Sequence, residues 1–444
     1  MNSNIFHEYD IRGRYPDQIN ENIFCRLGQA IKQVLKSKKI AMARDGRLSS
    51  DPLFLYLSSA LAQEKIKVID LGRTSAPFCF WYSQKYRVDA LMITASHNPA
   101  DQNGLKIYAH KSGPVDRQAG LEKIRQRYEA LATPLQKINL KPKNIKKVDA
   151  LGEYQKFILG LVKKISPKVK LAVDFSNSSS AVETTAVLEK LKVNFKTLNE
   201  KTDGRFPGHN PNPLDEASQK SMKALMKSKK FNVGAIIDGD GDRIVFFDET
   251  GEVVDPNFII CLMIDRGLFK KNTTVVKTVS LGRIIDEIAK VKGVKVYVSK
   301  VGRSHVRRLV KNKKAALGAE KSGHYFFKEY YYGDSALLAL IRVLEIISKN
   351  KEPLSRLVKP YQKYAVWPEI AIPFKGRIDH VIGTIKEKFK DGQLSELDGL
   401  KIDYPTWGFN LRKSNTEDLW RLSLEGLDKT EVERHKQEIE DILK

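Results

Sequence analysis

Residues 233–243, Val-Gly-Ala-Ile-Ile-Asp-Gly-Asp-Gly-Asp-Arg, join a short apolar run to a loop that carries three carboxylates. The run from Val233 to Ile237 has the length and composition of a buried strand. Asp238, Asp240 and Asp242 follow it at positions i, i+2 and i+4, with glycines between them. Hard oxygen ligands that converge in this way suit Mg²⁺, which commonly shares its ligand shell with a phosphate. The stretch therefore predicts a metal-binding loop at the end of a strand.

A calcium-binding EF-hand is the alternative interpretation of this loop, because it begins with a similar spacing of aspartates. In an EF-hand the twelfth position would be Glu249, and Arg243, Val245 and Phe247 would stand where ligands or a solvated loop should lie. A helix-loop-helix pattern is also missing from the flanking sequence. We therefore expect a catalytic metal site here.

Apolar, β-rich runs alternate with amphipathic stretches throughout the N-terminal part of the chain. Lys39–Ala43 and Ala90–Thr94 have strand character, and Pro52–Gln63 between them has helix character. That alternation indicates βαβ units and a mainly parallel sheet. It restarts with the strand-like run Val169–Asp174 and again beyond Asp255. The pattern predicts an α/β protein built from the same supersecondary unit several times.

The chain of 444 residues is long enough for several domains. We expect three successive mixed α/β domains of βαβ type and a smaller C-terminal α+β domain, arranged around a central cleft. The polar segment Gln136–Lys147 is interpreted as a linker, and Trp367–Phe374 alternates as an antiparallel strand would. The predicted domains span residues 1–135, 150–254, 255–360 and 365–444.

Several classes of protein are disfavoured by composition. The longest apolar stretches, such as Phe258–Ile264, fall short of the roughly 20 residues that span a bilayer, so no membrane partner is expected. The N-terminus lacks the basic start and apolar middle of a secretory signal, which makes the cytoplasm the expected compartment. Cys25, Cys79 and Cys261 lie far apart in sequence, and they suggest neither a CxxC metal site nor a disulfide framework.

A formal net charge of +24 would suit nucleic acid, anionic lipid or phosphorylated small molecules as partners. The excess lysine is spread over the whole chain, and it lacks the aromatic interleaving that single-strand binders use. We therefore expect a solvated basic surface and no nucleic-acid partner.

A second loop, residues 94–99 (Thr-Ala-Ser-His-Asn-Pro), follows the strand-like run Ala90–Ile93. Ser96 is therefore expected at the end of a sheet, where α/β enzymes place their sites. A serine carries a phosphate stably if a cation neutralises the added charge, and the metal loop and Lys106 offer such cations. The GxSxG elbow of serine hydrolases does not surround Ser96, which disfavours a hydrolase.

Three further stretches contribute to a resemblance with a known family. They are residues 9–13 (Tyr-Asp-Ile-Arg-Gly), 320–324 (Glu-Lys-Ser-Gly-His) and 412–417 (Arg-Lys-Ser-Asn-Thr-Glu). Together with the serine loop and the aspartate loop, they resemble the α-D-phosphohexomutase family, in particular its phosphomannomutase/phosphoglucomutase branch. Residues 320–324 are similar to the sugar-recognition loop of that family, and residues 412–417 to its distal phosphate-binding loop. The resemblance covers essentially the whole chain.

The resemblance implies an enzyme that interconverts hexose 1-phosphate and hexose 6-phosphate, so hexose phosphates are the expected small-molecule partners. Phosphorylated Ser96, bound through Mg²⁺ to Asp238, Asp240 and Asp242, would give a hexose 1,6-bisphosphate whose other phosphoryl group returns to Ser96. A hexose 1,6-bisphosphate is then the expected activator. Positioning and charge neutralisation supply most of the rate in phosphoryl transfer.

Roles for individual residues follow from the same resemblance. Arg12, Lys106 and Arg243 fit charge neutralisation, and Lys300 matches the proposed acid/base lysine of the family. His97 and His324 are candidates for proton transfer or for orienting the sugar. The expected substrate-binding residues are Tyr9, Arg243, Gly302, Glu320, Ser322, His324, Arg412, Ser414, Asn415 and Thr416.

Some alternatives stay open at this level. A phosphoglucosamine mutase is the runner-up, although Ser-Asn-Thr at residues 414–416 is closer to the mannose/glucose branch. Lys321 departs from the residues common in the sugar loop, which leaves the preferred sugar undecided. A phosphatase that releases the phosphate of Ser96 to water is a further alternative, and both a monomer and a homodimer are compatible with the sequence.

Overall fold

The computed structural model describes residues 5–131, 139–140, 144–228, 230–266, 269–367, 369–373, 378–414 and 419–443. The chain divides into two compact units. The first contains Met1–Val254 and Ser322–Ser355, and the second contains Asp255–Lys321 and Arg356–Lys444. Each unit is described by itself below.

The first sheet of unit 1 is mixed and runs in the order β1-β5-β4-β2-β3-β7, with β6 paired to β5. Its centre is parallel, because β2 pairs in parallel with both β3 and β4. Apolar residues of the sheet and of the helices beside it form one buried core. The elements are β1 (Ile11–Arg14), α1 (Glu21–Leu35), β2 (Lys39–Arg44), α2 (Ser50–Gln63), β3 (Lys67–Arg73), α3 (Ala76–Tyr86), β4 (Asp89–Ile93), β5 (Gln102–Ala109), β6 (Gly113–Pro114), α4 (Glu122–Ala130) and β7 (Ile145–Lys147).

The antiparallel edge of this sheet brings two cations to one face. Arg12 of β1 lies opposite Gly104 of β5, and Lys106 follows two residues later on the same strand. Residues i and i+2 of a strand point to the same face, and directly opposed residues share it. Arg12 and Lys106 therefore project from one face of the sheet.

A second sheet of unit 1 runs in the order β12-β11-β10-β8-β9. β8 pairs in parallel with β9 and with β10, so the carboxyl ends of these strands lie at one edge. β10 is buried along its whole length, as its apolar sequence predicts. The elements are α5 (Leu151–Leu161), β8 (Lys170–Asp174), α6 (Ala181–Lys190), β9 (Asn194–Leu198), α7 (Glu216–Ser228), β10 (Val233–Ile237), β11 (Ile244–Phe247) and β12 (Val253–Val254).

The next part of the chain starts in unit 2 and then returns to unit 1. In unit 2, β13 pairs in parallel with β14 and β15. In unit 1, β16 pairs with β17 and the buried helix α11 follows. The elements are α8 (Pro256–Asp265), β13 (Thr274–Thr278), α9 (Ile284–Lys292), β14 (Lys295–Ser299), α10 (Arg303–Asn312), β15 (Leu317–Ala319), β16 (Tyr325–Phe327), β17 (Gly333–Asp334), α11 (Ala336–Asn350) and α12 (Leu354–Val358).

The C-terminal part of unit 2 is an antiparallel sheet of order β18-β23-β22-β21-β20, with β19 also paired to β23. Helices α13 and α14 contribute apolar residues to its own core. The elements are β18 (Ala365–Val366), β19 (Ile370–Pro373), α13 (Ile378–Lys388), β20 (Gln393–Ser395), β21 (Leu400–Asp403), β22 (Trp407–Lys413), β23 (Leu419–Gly426) and α14 (Lys429–Leu443).

The structure confirms the α/β prediction, with parallel-centred sheets followed by a smaller antiparallel α+β part. The linker interpretation of Gln136–Lys147 is wrong at its end, because β7 adds a parallel strand to β3. Only three residues pair there, too few for the sequence pattern to reveal. Residues 136–138 and 141–143 lie outside the described part of the chain. The four domain boundaries and the central cleft stay predictions.

Among the helices of the described residues, none combines the length and the apolar character needed to cross a lipid bilayer.

Gly104 is expected to be required for the pairing of β1 with β5. A Cβ atom at Gly104 would lie 2.2 Å from the carbonyl oxygen of Ile11 and 2.9 Å from that of Thr94, and neither backbone group can move cheaply. Gly104→Ala should lower the free energy of unfolding by roughly 1–3 kcal/mol. Gly152→Ala is the control, because a Cβ at this helical position meets nothing within 4 Å. Urea unfolding followed by circular dichroism tests this, and equal midpoints for the two variants would contradict it.

Candidate active site

The loop after β4 presents Ser96 at the carboxyl end of the first sheet, as predicted. Its backbone takes the left-handed conformation, with φ of 54°. The Ser96 amide donates to the hydroxyl of Thr94 at 2.8 Å, and the Ser96 hydroxyl donates to Asp238 Oδ2 at 2.9 Å. A non-glycine residue in this region of φ/ψ space costs about 1–3 kcal/mol and persists only where its surroundings enforce it. The conformation aims the serine hydroxyl at the aspartate loop.

Asp238, Asp240 and Asp242 lie in the loop that follows β10, and all three are fully buried. One carboxylate oxygen from each of them lies within 4.8 Å of the other two. Asp238 Oδ1 accepts hydrogen bonds from the backbone amides of Gly241, Asp242 and Arg243 at 3.0–3.1 Å. Burial, followed by the charges of Asp242 and Asp240, raises the pKa of Asp238 to about 7. The cluster therefore requires positive charge nearby to stay ionised.

Two cations from the first sheet approach this cluster. Lys106 Nζ lies 2.7 Å from both Asp240 Oδ2 and Asp242 Oδ2. Arg12 Nη1 donates to Asn98 Oδ1 at 2.9 Å and to the carbonyl of Ala95 at 3.2 Å, so it contacts the serine loop. The shared face of β1 and β5 explains why both side chains reach this region.

The three carboxylates fit a divalent cation. They outnumber the one ammonium that bridges two of them, and Asp240 Oδ1 is buried without a hydrogen-bond partner among the described residues. A buried carboxylate oxygen without a partner is costly unless an ion or water satisfies it. Clustered carboxylates are the ligands that Mg²⁺ prefers. The acidic triad can therefore hold a hard metal ion.

Residues 322–324 of the sugar-loop motif lie against the aspartate loop in unit 1. The amide of Ile244 donates to the carbonyl of Gly323 at 3.1 Å. Arg243 Nε donates to His324 Nε2 at 3.3 Å, and His324 Nδ1 lies 2.9 Å from the hydroxyl of Ser322. His324 Nε2 also lies 3.3 Å from Asp242 Oδ1. The structure thus brings Arg243, Ser322 and His324 together beside the predicted metal ligands.

His97 follows Ser96 and is half-buried. Burial, together with the charges of Arg243 and Arg12, holds the pKa of His97 well below its ordinary value. The imidazole is therefore neutral at pH 7 and suits a hydrogen-bonding role more than donation of a proton from imidazolium. Tyr9 lies half-buried in the segment before β1.

The remaining part of the sugar-loop motif lies in unit 2. Glu320 is buried, and its Oε1 accepts the backbone amide of Gly302 at 2.8 Å. Gly302 is the N-cap residue of α10, and its φ of 126° is a conformation that favours glycine. Lys300 is exposed two residues earlier. Lys321 donates from Nζ to the carbonyl of Trp367 at 2.8 Å, a contact that the sequence did not predict.

Arg412 is the first residue of the predicted phosphate-binding motif. It lies near the end of β22 and is buried. Its Nη2 donates to Glu369 Oε1 at 3.0 Å, whereas its Nε has no hydrogen-bond partner among the described residues. The Ser414 amide donates to the carbonyl of Leu419 at 2.8 Å. Asn415 and Thr416 lie outside the described residues. The guanidinium therefore keeps donor capacity for an anion.

Two buried cations, Lys277 and Arg47, were not predicted from the sequence motifs. Lys277 at the end of β13 donates to the carbonyl of Gly282 at 2.8 Å and contacts the carboxylate of Asp286. Arg47, in the turn after β2, contacts the backbone of the serine loop. The sequence signal for Lys277 is a lysine next to the last residue of an otherwise apolar strand, close to the carboxyl edge where α/β sheets bind their ligands.

Comparison with known proteins places these features in a family. Three family models match the chain, those of phosphoglucomutase/phosphomannomutase alpha/beta/alpha domains I, II and III. Domain I matches residues 3–134, domain II matches residues 148–251, and domain III matches residues 255–364. The chain belongs to the phosphoglucomutase/phosphomannomutase family. Members of this family are isomerases that transfer a phosphoryl group, so the predicted resemblance and the predicted class of enzyme are confirmed.

Relatives in this family match the chain over its whole length. Phosphomannomutase of Methanocaldococcus jannaschii is 33% identical over 445 residues, covering 99% of this chain and 97% of the relative. A protein described as phosphohexose mutases, from Xanthomonas campestris, is 29% identical, covering 99% of both chains. The match to these relatives therefore includes the C-terminal part of the chain, which lies beyond the three matched family models.

Solved structures of the family share the fold. A phosphoglucomutase/phosphomannomutase family protein of Burkholderia thailandensis superposes with a TM-score of 0.89 at 25% identity, covering 100% of this chain and 97% of that one. The phosphoglucomutase parafusin of Paramecium gives a TM-score of 0.81 at 17% identity, covering 99% of this chain and 95% of that one. At that lower identity the likeness shows the fold alone.

The aspartate triad is expected to bind Mg²⁺ measurably in the resting protein. Addition of MgCl₂ should raise the melting temperature of the wild-type chain, because a ligand that binds only the folded state stabilises it. Asp240→Asn removes one charged ligand and should weaken Mg²⁺ binding at least about tenfold in isothermal titration calorimetry. Glu153→Gln removes the same charge from an exposed position paired with Lys85, and it should bind Mg²⁺ as the wild type does. Equal affinities for the two variants would count against the triad as the site.

Proposed function

We propose that this chain is a phosphomannomutase/phosphoglucomutase that interconverts hexose 1-phosphates and hexose 6-phosphates through phosphorylated Ser96. The observation that carries the proposal is the hydrogen bond of 2.9 Å between Ser96 Oγ and Asp238, inside the buried aspartate cluster. A serine hydroxyl held beside clustered carboxylates suits a carrier of phosphate once a divalent cation balances the charge.

The first transfer starts from phosphorylated Ser96 and a hexose monophosphate. A sugar hydroxyl attacks the phosphorus, the bond from phosphorus to Ser96 Oγ breaks, and a bond from phosphorus to the sugar oxygen forms. The product is a hexose 1,6-bisphosphate and unmodified Ser96. After the sugar has turned around, Ser96 accepts the other phosphoryl group by the same step in reverse. Over one cycle Ser96 therefore regains a phosphoryl group in place of the one that it gave up.

Charge neutralisation supplies most of the rate in such transfers, so the cations around Ser96 carry the chemistry. Asp238, Asp240 and Asp242 would hold Mg²⁺, which would supply positive charge against the transferring phosphoryl group. Arg12 already contacts the serine loop and Lys106 contacts two of the aspartates. Both side chains are therefore held where negative charge builds up.

The attacking hydroxyl must also lose a proton, and the departing serine oxygen must regain one. Asp238 accepts a hydrogen bond from Ser96 Oγ in the resting state, which makes it the group nearest to the serine proton. His324 is hydrogen-bonded to Arg243 and near Ser322, so it suits the orientation of a sugar hydroxyl. The role of Lys300 as acid/base lysine stays a prediction from the resemblance.

The opposite end of the substrate requires a second anion site. Arg412 supplies a buried guanidinium with an unused Nε, and Ser414 lies two residues later. Asn415 and Thr416 belong to the same proposed site by resemblance. Glu320, with its carboxylate fixed by Gly302, suits recognition of sugar hydroxyls, because an unmatched buried acceptor disfavours the wrong sugar.

Other parts of the proposal rest on the sequence. We place the enzyme in the cytoplasm, as a monomer or a homodimer, with a hexose 1,6-bisphosphate as activator. The four domains are proposed at residues 1–135, 150–254, 255–360 and 365–444. The preferred sugar is tested by assaying mannose, glucose and glucosamine phosphates side by side, and a clear preference for glucosamine phosphate would favour phosphoglucosamine mutase instead.

Ser96→Ala should abolish turnover, because no other oxygen replaces the phosphate carrier. Intact mass spectrometry of the wild type after incubation with glucose 1,6-bisphosphate should show one added phosphate, and peptide mapping should place it on Ser96. Ser83→Ala removes a buried hydroxyl of α3 and serves as control, with phosphorylation retained. Activity of Ser96→Ala within tenfold of the wild type would exclude Ser96 as carrier.

Arg412→Ala should raise KM for hexose 1-phosphate by at least about tenfold while Mg²⁺ dependence stays unchanged, because a lost contact to the non-reacting phosphate weakens binding. Arg412→Lys keeps the charge but loses the fork, and it should fall between alanine and the wild type. Steady-state kinetics at several Mg²⁺ concentrations measure both quantities. An unchanged KM in the alanine variant would rule out the phosphate contact.

A further inference from the structure

Arg47 is a fully buried arginine in the turn between β2 and α2, and its guanidinium faces the backbone of the serine loop. Nη2 donates to the carbonyl of Ser96 at 2.9 Å and to that of Asn98 at 2.6 Å. Nη1 donates to the carbonyl of Gln102 at 2.9 Å and also to that of Pro99. Four carbonyls within residues 96–102 are thus bound to a single side chain.

Asp45 completes the arrangement. Its Oδ2 accepts Arg47 Nε at 3.1 Å, and its Oδ1 accepts the Arg47 amide at 3.0 Å and the Ser50 hydroxyl at 2.6 Å. A guanidinium has five N–H donors, and here five acceptors use all of them. Asp45 also neutralises the charge, so Arg47 is a satisfied buried ion and has no donor left for a ligand. Among the described residues, the hydrogen-bond acceptors of its guanidinium are Asp45 and the backbone carbonyls of residues 96–102.

A second layer packs on Arg47 from residues 202–208, the loop that follows β9. The ring of Phe206 lies 4.9 Å from the guanidinium carbon of Arg47. The two segments approach closely, since a Cβ at Gly204 would lie 2.5 Å from Arg47 Cα and a Cβ at Gly46 would lie 2.2 Å from the side-chain Cγ2 of Thr202. The loop therefore covers Arg47 and restricts its movement.

We propose that Arg47, covered by Phe206, is a positioning residue that fixes the backbone of residues 96–102 and so holds the Ser96 hydroxyl in line for phosphoryl transfer. Ser96 keeps an unfavourable left-handed conformation, and a guanidinium fork that binds the carbonyls of Ser96 and Asn98 enforces it. This role rests on the proposed function of Ser96. Arg47 acts through the loop and contacts no group proposed to bind the sugar.

The chain offers a matched control in the same unit. Arg26 is also buried, donates to the carbonyl of Tyr128 at 2.7 Å and to that of Leu131, and lies 5.2 Å from the ring of Tyr128. It therefore binds backbone carbonyls and an aromatic ring as Arg47 does, but at the end of α4. Substitutions at the two arginines remove similar interactions, but only the substitution at Arg47 removes contacts to the serine loop.

The experiment compares Arg47→Lys with Arg26→Lys. Lysine has three donors and no planar fork, so it cannot hold all the carbonyls. We expect kcat of Arg47→Lys to fall roughly 10- to 100-fold, because small misplacements of a reacting atom cost that much. KM should stay within about threefold of the wild type, since the substrate contacts are kept. Arg26→Lys should lose a comparable amount of thermal stability and keep its kcat.

Single-turnover phosphorylation of Ser96 by glucose 1,6-bisphosphate provides a readout that stability alone does not move. Its rate should fall in Arg47→Lys and not in Arg26→Lys. If Arg47→Lys does not fold, Phe206→Leu and Tyr128→Leu make the same comparison, with an expected decrease in kcat of about three- to tenfold for Phe206→Leu only. Equal phosphorylation rates within either pair would overturn the role of Arg47.

Failure of the underlying function has a different signature. If the wild type itself acquires no phosphate on Ser96, the proposed function is wrong and the role of Arg47 is overturned with it. If the wild type is phosphorylated and turns over, and Arg47→Lys matches Arg26→Lys, only the role of Arg47 is overturned.

Discussion

Ser96 donates its hydroxyl to Asp238 within a cluster of three buried aspartates, and the surrounding structure offsets the electrostatic cost of that cluster. Unpaired buried carboxylates cost several kcal/mol each. Three backbone amides bound to Asp238 and the ammonium of Lys106 reduce that cost. A phosphate on Ser96 would add a charge of about −1.5 to −2, so more cations are required. A phosphorylated Ser96 would therefore require a divalent ion as well as Arg12 at the proposed site.

The positions of these groups follow from two sheets of unit 1. β4 and β10 each end in a loop at the carboxyl edge of a parallel pair, which is where α/β proteins place their ligands. The antiparallel strands β1 and β5 then bring Arg12 and Lys106 to one face. The fold therefore supplies the proposed phosphate carrier, the proposed metal ligands and the neighbouring cations from strand ends and strand faces, and no single local motif contains all of them.

The sequence predicted the parts of this arrangement that depend on local pattern. Apolar runs followed by polar loops predicted the strands and located Ser96 and Asp238, because strand ends are marked by composition. The sequence itself offered Lys106 as a cation for a phosphate on Ser96, and the resemblance added Arg12. Arg47 was missed because its partners are carbonyls, which every residue carries, so no residue type marks them. β7 was missed for a related reason, since three residues are too few to show a period.

Sequence motifs predict Ser96 but do not predict Arg47, and the reason is a difference in what defines the two residues. Ser96 is defined by the chemistry of its side chain, and that chemistry has a sequence signature. Arg47 is identified only by its contacts, because its five guanidinium donors bind Asp45 and four carbonyls of residues 96–102 that come together in the folded chain. A fork with fixed donor directions specifies one backbone path, whereas a flexible ammonium would accept several. The rigidity of the serine loop therefore depends on Arg47, which lies 49 residues before Ser96 in the turn after β2. The two segments meet because parallel pairing of β2 with β4 brings the ends of these strands together.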